Sequence, residues 1–537
     1  MWSVALSVAL ARGVAAAAEE ADGVGGVSLP PDARGPADMA ATSMPAGGKQ
    51  PLKPAAAEPA VGKEPPKPAA AEPKKASTKG MAQFAIPKAA VPGRPPPTGA
   101  KTPPPELQQR LTYQYAYGSQ SDVVYRRNSD LNRGVKDDSL VLAPQLNAYV
   151  TYRPTDWLES TLEMKLDKEF PVVEQDKILL PNGETQLAVP RSWSLLIEQI
   201  YLALKSPADR ARLVVGRRNF EDERHFLLDT SLDTVGFGIR FGQFRAEAAM
   251  GREIFVDLNL LKGNEAGAHQ QGAQRRKDLI NTYLFAMDYR GIADVKLGAF
   301  VVYRDDKAKL EGRPLQVGFQ SQGTPNPSFS YWALFALQGG WDELSRNLRG
   351  YGLDVGITYR FTGLALYPSL TLGYAYGSGD ANPTDGRNTE FRQTGLQSNE
   401  ARFSGLARFK VYGEVLDPEL SNLRIVTVAV GFRPLNNLSV ELVYHRYQLA
   451  EFAGELRSTA LTALMNQVEG QPSKDVGSAF DVVFGIRGPF GIRRLGVDVR
   501  VGLFFPGKAF LTDRGSPEKP NIRSADRGFT AFTKFWW

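Results

Sequence analysis

Leu140–Tyr152 reads LVLAPQLNAYVTY and Leu158–Asp167 reads LESTLEMKLD. In the first stretch Leu140, Leu142, Leu146, Ala148, Val150 and Tyr152 alternate with positions that include Gln145, Asn147 and Thr151. In the second, Leu158, Leu162, Met164 and Leu166 alternate with Glu159, Thr161, Glu163, Lys165 and Asp167. A period of two is that of a strand with one dry and one wet face. Four charges on one face need water. A soluble barrel would turn its charges outward, whereas a membrane barrel turns its apolar face to lipid and its charges into a wet lumen. The alternation alone fits either.

The connections decide between them. RPTDW (153–157), SPADRAR (206–212), Gly242–Gln243, YRGIAD (289–294), FTGLAL (361–366), RPLNN (433–437) and GPFGIRR (488–494) are short. Long polar stretches fall between them at 168–191, 254–278, 305–328, 378–402, 449–476 and 506–527. Short turns on one side and long loops on the other is the asymmetry of outer-membrane barrels. The sequence ends FTAFTKFWW, with Phe529, Ala531, Thr533, Phe535 and Trp537 on one face, like the terminal strand of such barrels. Sixteen strands can be marked; the apolar runs 329–337 and 403–412 would complete them. The expectation is an all-β transmembrane outer-membrane barrel over 106–537 with 18 antiparallel strands, or 16 if those two runs stay out.

Composition agrees. Residues 1–105 hold 19 of the 37 prolines and only two aromatics, Trp2 and Phe84. WSVALSVALARGVAAAA (2–18) reads as a secretory signal with cleavage within Ala15–Ala18. Residues 19–105, with KPAAAEP at 53–59 and again at 67–73, read as a disordered, partly polyproline-II periplasmic tail. The tail is either a linker or a tether to peptidoglycan or a periplasmic scaffold. Residues 1–105 carry 12 of the 64 Lys+Arg and 8 of the 58 Asp+Glu, leaving 52 against 50 for the barrel. No basic stripe is left to bind nucleic acid. With no cysteine and three histidines, thiol redox and zinc chemistry have no ligands to work with, and no cofactor or metal is expected.

Strand parity assigns lumen faces wherever the opposite face is cleanly apolar. The basic members are Arg153, Lys165, Arg240, Arg245, Lys296, Arg304, Arg360, Arg487 and Arg500. The acidic ones are Glu159, Glu163, Asp167, Glu247, Asp288, Asp354, Glu441, Asp481 and Asp498. Arginine's planar fork binds carboxylates in pairs of hydrogen bonds, so this wall could serve as a carboxylate ladder. Alternatively, the two signs neutralise one another and stiffen the wall.

VGRRNFEDERHFLLDTSLDTVGFGIRFG (215–242), YAYGSGD (374–380), FRQTGLQSN (391–399), YGEVLDPELSNL (412–423) and LVYHRY (442–447) together resemble the alginate export family of outer-membrane proteins. The resemblance spans most of 106–537, and FRQTGLQSN and PELSNL are its most specific pieces. It implies an 18-stranded barrel passing an anionic exopolysaccharide outward through an arginine-rich constriction. On that resemblance Arg217, Arg218, Arg224 and Arg392 become candidates to meet uronate carboxylates. Arg240, Arg304, Arg360, Arg500 and Lys296 are the parity-based pore-lining candidates. The family closes its periplasmic mouth with a long turn, whereas the turns placed here are short.

Other functions fit less well. A lipase-like enzyme would need a Ser/His pair on the lipid-accessible wall, and Ser439 with His445 on the lumen face is a poor match, so no enzyme is expected. A plugged receptor needs a globular plug and about 22 strands, which residues 20–105 cannot supply. A general diffusion porin remains the rival. The carboxylates of DANPTDG (380–386) miss the calcium-loop spacing by one residue. The expected partners are an anionic polysaccharide and outer-membrane lipid.

Overall fold

The computed structural model describes residues 112–134, 137–173, 177–179, 185–187, 193–253, 258–261, 264–265, 279–307, 312–513 and 521–537. All belong to one compact unit, and the other, Arg12–Pro73, lies wholly outside them. The expected signal at 1–18 and the tail at 19–105 also lie outside the described residues.

The barrel strands are β1 Thr112–Arg127, β2 Ser139–Thr155, β3 Leu158–Asp167, β4 Ser194–Lys205, β5 Ala211–Glu221 and β6 Asp229–Phe241. They continue as β7 Phe244–Arg252, β8 Ile280–Ile292, β9 Val295–Asp306, β10 Arg313–Asn326, β11 Phe329–Trp341 and β12 Tyr351–Arg360. The last six are β13 Ser369–Gly377, β14 Leu423–Leu435, β15 Leu438–Leu449, β16 Asp475–Arg487, β17 Gly496–Pro506 and β18 Gly528–Trp536. Each pairs antiparallel with the next, and β18 returns to β1 through pairs such as Thr533↔Val123 and Phe529↔Arg127. Closure leaves no strand edge, the condition for a sheet to sit in hydrocarbon.

Burial is inverted relative to a soluble barrel. Ile200, Val235, Phe237, Phe285, Phe319, Leu372 and Tyr444 are exposed, while Glu159, Glu163, Arg304, Asp354, Glu441, Asp481 and Arg500 are buried. The apolar face therefore looks outward and the charged face into the lumen, which excludes the soluble alternative. Among the described residues no helix is long and apolar enough to cross a membrane; the crossing is made by strands. Thr112 and Trp536 share the end of the short turns, whose longest connections run over 361–368 and 488–495. That end is periplasmic, and the long loops leave from the other.

Two expectations need correction. The stretch 305–328 is not a loop: it contains β10, paired on both sides through Val317↔Val301 and Val317↔Leu337. The run 403–412 is not a barrel strand. It belongs to the connection 378–422, which folds back into the lumen. The eighteen strands are the marked sixteen plus β10 and β11. Gly318 shows why β10 reads as a loop. A Cβ there would come within 2.2 Å of the Phe300 ring and 2.3 Å of the Phe335 carbonyl, so the glycine makes room for the neighbour's aromatic.

Candidate functional site

Strand β3 sets the first part of the site. Its even residues face lipid, so Glu159 must point inward near the periplasmic end, where β2 and β4 bring their own last inward residues. Arg153 Nε and Lys205 Nζ both donate to Glu159 Oε2 at 2.6 Å, and Arg212 Nη2 donates to Oε1 at 3.0 Å. Three cations thus share one buried carboxylate. Further along the same wall Lys165 pairs with Glu198 at 2.6 Å, Arg218 with Glu247, and Lys296 with Asp288 at 3.6 Å. Arg240 stands 4.0 Å from Asp209 at the rim.

The segment 378–422 forms the second part. Phe391, Phe403, Phe409, Tyr412, Leu416 and Leu420 are buried, so the barrel encloses a hydrophobic core built by its own loop. The segment's lowest point, 403–407, reaches the periplasmic third of the lumen. Arg360 Nη2 donates to the Phe403 carbonyl at 3.3 Å, Arg433 Nη2 to that of Gly405 at 3.4 Å and Arg487 Nη2 to that of Leu406 at 2.5 Å. In return, the Ser404 amide donates to Glu441 Oε1 at 2.9 Å and the Leu406 amide to Ser439 Oγ at 2.8 Å. Higher up, Arg304 donates to the Thr394 carbonyl at 2.8 Å and Gln316 to that of Arg392 at 2.6 Å. These contacts run to β9, β10, β12 and β14–β16. The wall from β2 to β9 carries the series of Arg153, Lys165, Lys205, Arg212, Arg218 and Lys296.

Arg500 holds the segment electrostatically, with Glu400 and Glu414 each 3.4 Å from its Nη1. Burial pushes the Glu414 carboxyl up, to about 7, against the pull of Arg500. Burial also works against ionised Glu400, but Arg500, Lys410 and Lys534 outweigh it and hold its carboxyl down at about 2. Near neutral pH Glu400 is therefore ionised and Glu414 only partly so.

The remaining expected residues divide. Arg224 sits 3.3 Å from Asp354, with its guanidinium 4.1 Å from the Trp332 ring centroid. Arg392 forms a two-nitrogen pair with Glu343 in the connection between β11 and β12. Arg217 pairs with Asp233 at 3.2 Å and donates to the Ile197 carbonyl at 3.0 Å. Its register partner is Ile200, an outward-facing residue, yet the Arg217 side chain is only 5% exposed, enclosed by these two contacts. The most informative residues the sequence reading passed over are Lys205, Arg212, Arg433, Glu400 and Glu414. Lys205, Arg212 and Arg433 sit beside or within stretches that read as turns, where parity assigns no face.

Ser439 is engaged with the Leu406 amide, and His445 is fully buried against Thr427 Oγ1, 2.9 Å, and Asp481, 3.4 Å. In the 380–386 stretch, the Asp385 carboxylate accepts the Arg387 amide and Asp380 faces Arg346 at 3.7 Å. Glu221, His225 and Asp229 bring one ligand atom each within 4.8 Å. The Arg408 guanidinium already lies against His225 Nε2, so a cation occupies the place where a metal's charge would be needed.

A family model described as alginate export matches residues 105–521. Alginate production protein AlgE of Azotobacter vinelandii is 26% identical over 196 residues, covering 33% of this chain and 39% of that protein. Its Pseudomonas aeruginosa counterpart is 29% identical over 140 residues, covering 26% of each. The aligned stretches thus span well under half of either relative. Among solved structures, Acinetobacter baumannii OccAB3 overlaps with a TM-score of 0.49 at 12% identity, covering 79% of this chain and 99% of that one. Pseudomonas aeruginosa OpdQ gives 0.49 at 10% identity, covering 79% and 98%.

Proposed function

The chain belongs to the alginate export family and is a bacterial outer-membrane barrel, and on that premise we propose that it passes an anionic exopolysaccharide, an alginate-like polyuronate, outward through an arginine-containing pore. The observation that carries this is the sharing of Glu159 by Arg153, Lys205 and Arg212 at the periplasmic end of the lumen. One carboxylate cannot neutralise three cations, so the surplus is available to the carboxylates of an arriving chain. Beyond it, Arg218 and Lys296 each already have an acid partner. A uronate must exchange with Glu247 or Asp288, which keeps every contact weak enough to release. Conduction needs binding of that kind, favourable at many sites and trapping at none. Passage is then passive, driven by the polymer's own supply, and the protein transports without catalysing.

In this reading the path runs between the β2–β9 wall and the inserted segment. Arg304, Arg360 and Arg500 serve it indirectly, because they hold that segment; Arg224 and Arg240 flank the path, and Arg392 stands near its outer end. Thr112 stands at the periplasmic end, which suits a tail that tethers the barrel to a periplasmic scaffold or to peptidoglycan.

Reversal potentials in planar bilayers test the proposal. The native channel should prefer anions and be blocked by oligouronates, and Arg153→Gln with Arg212→Gln should weaken both effects. A general diffusion porin would show little selectivity and no block. A cation-selective channel indifferent to oligouronates would overturn the assignment.

A further inference from the structure

Among the described residues, the arginines on the outer face of the barrel lie toward its external end. At the periplasmic ends of the strands the outward positions include aromatic pairs, with Tyr113 stacked on Tyr152 at 4.9 Å and Phe244 against Tyr289 at 4.7 Å. At the external ends they include Arg127, Arg313, Arg424 and Arg446. Arg127, Arg313 and Arg446 have acid partners, Asp138, Asp305 and Asp475. Arg424 differs: among the described residues it forms no ion pair, and its guanidinium lies 5.6 Å from the Tyr376 ring centroid.

Register brings two of these arginines together. Arg424 of β14 is opposite Gln448 of β15, and Arg446 is opposite Val426, so the two guanidinium groups are diagonal neighbours on one face. That face is outward, because Val426, Val430, Leu442 and Tyr444 continue it downward and are all exposed. Arg424 is exposed as well, and the Arg446 side chain retains 38% exposure beside its 2.8 Å bond to Asp475. The patch therefore holds two arginines and one carboxylate directly above an apolar wall, on the side of the long loops.

We propose that this patch binds a phosphate of the glycolipid that forms the outer leaflet, with the acyl chains lying along Val426, Val430, Leu442 and Tyr444. Three features select that occupant. A phosphate matches the guanidinium fork and accepts from two arginines at once. The apolar wall beneath requires the anion to be carried on a lipid. The position at the external boundary places it in the leaflet where phosphorylated glycolipid, and not glycerophospholipid, meets the protein. Tyr376 keeps the Arg424 plane from swinging out into water. The site is independent of what passes through the pore.

Native mass spectrometry of the folded full chain, released from micelles supplied with one lipid at a time, tests this. Bisphosphorylated lipid A should be retained, its dephosphorylated form should not, and phosphatidylglycerol should be retained at least about tenfold more weakly. Arg424→Glu with Arg446→Glu should lower lipid A retention about tenfold and leave the anion preference of the channel unchanged. If those variants do not fold, as judged by heat-dependent gel mobility, Arg424→Gln with Arg446→Gln serves instead, and the dephosphorylated lipid tests the wild type directly. Equal retention by the variants, indifference to the phosphate, or equal retention of phosphatidylglycerol would each overturn the proposal.

Discussion

The indole of Trp332, on β11, lies nearly parallel to the ring of Phe403, with centroids 5.5 Å apart and planes 8° from parallel. One ring belongs to the wall and the other to the lowest part of the inserted segment. Phe409 meets Phe403 edge-on at 5.0 Å, and Trp332 Nε1 donates to Asp354 Oδ1 at 2.8 Å, so the stack is fixed from both sides. Truncating a buried phenylalanine costs about 3–5 kcal/mol in a well-packed core. That loss would fall on the segment, because the wall strands keep their ladders. Phe403→Ala should leave heat-dependent gel mobility intact while raising single-channel conductance and its noise. Unchanged conductance would mean that the segment does not limit the pore.

Glu159 yields an inverted expectation. Removing an acid from a salt bridge usually weakens a site, but here three cations remain. Glu159→Gln should raise anion preference in planar bilayers, and Arg212→Gln should lower it. Salt should reduce the difference only in part, since charges confined in a lumen are screened less than exposed ones. Equal selectivity in the two variants would place these groups away from the ion path.

The carboxylates on Arg500 should respond differently to substitution. Burial raises the Glu414 carboxyl to about 7, above the 4.5 ordinary for a glutamate. An acid with a raised folded-state value costs stability when ionised, so this cost is absent below about pH 4.5 and grows as pH rises to about 7. Glu400 is held at about 2 and contributes stability that is lost only as pH falls below 4.5. At pH 8, Glu414→Gln should raise the urea midpoint of unfolding and Glu400→Gln should lower it. The variant at 414 should also lose part of the pH dependence between 5 and 7. A lower midpoint for Glu414→Gln would show that Arg500 needs both charges.

Most of the barrel is legible in the sequence because each strand separates lipid from water. Glu159 and Glu163 against Leu162 and Met164 could be read no other way once the turns fixed the side. Alternation carries no such information where a residue faces neither medium. Phe403, Phe409 and Tyr412 are apolar because they pack inside the lumen, and their alternation imitates a strand. Gly318, Gly323 and Pro325 conceal β10 because its glycines serve neighbouring rings and backbone rather than lipid. The candidate site suffers similarly. Parity puts Arg360 and Arg500 on the inward face of their strands, but cannot show that they bind a loop of the same chain.

The carbonyls held by Arg360, Arg433 and Arg487 lead to the last prediction. An arginine bonded to a neutral carbonyl lacks the opposite charge and the second acceptor oxygen that a carboxylate offers its planar fork. A uronate reaching the periplasmic third of the lumen is therefore a competitor for all three. As each guanidinium turns toward the polymer, the tip at 403–407 loses three of its anchors and keeps the amide bonds to Glu441 and Ser439 and the stack of Phe403 on Trp332. Hydrogen exchange of the Ser404 and Leu406 amides reads this directly. Oligouronates should speed their exchange, a neutral oligosaccharide of equal length should not, and Arg487→Gln should speed it without any ligand. If oligouronates instead slow exchange there, the polymer binds over a fixed tip and the segment is part of the wall.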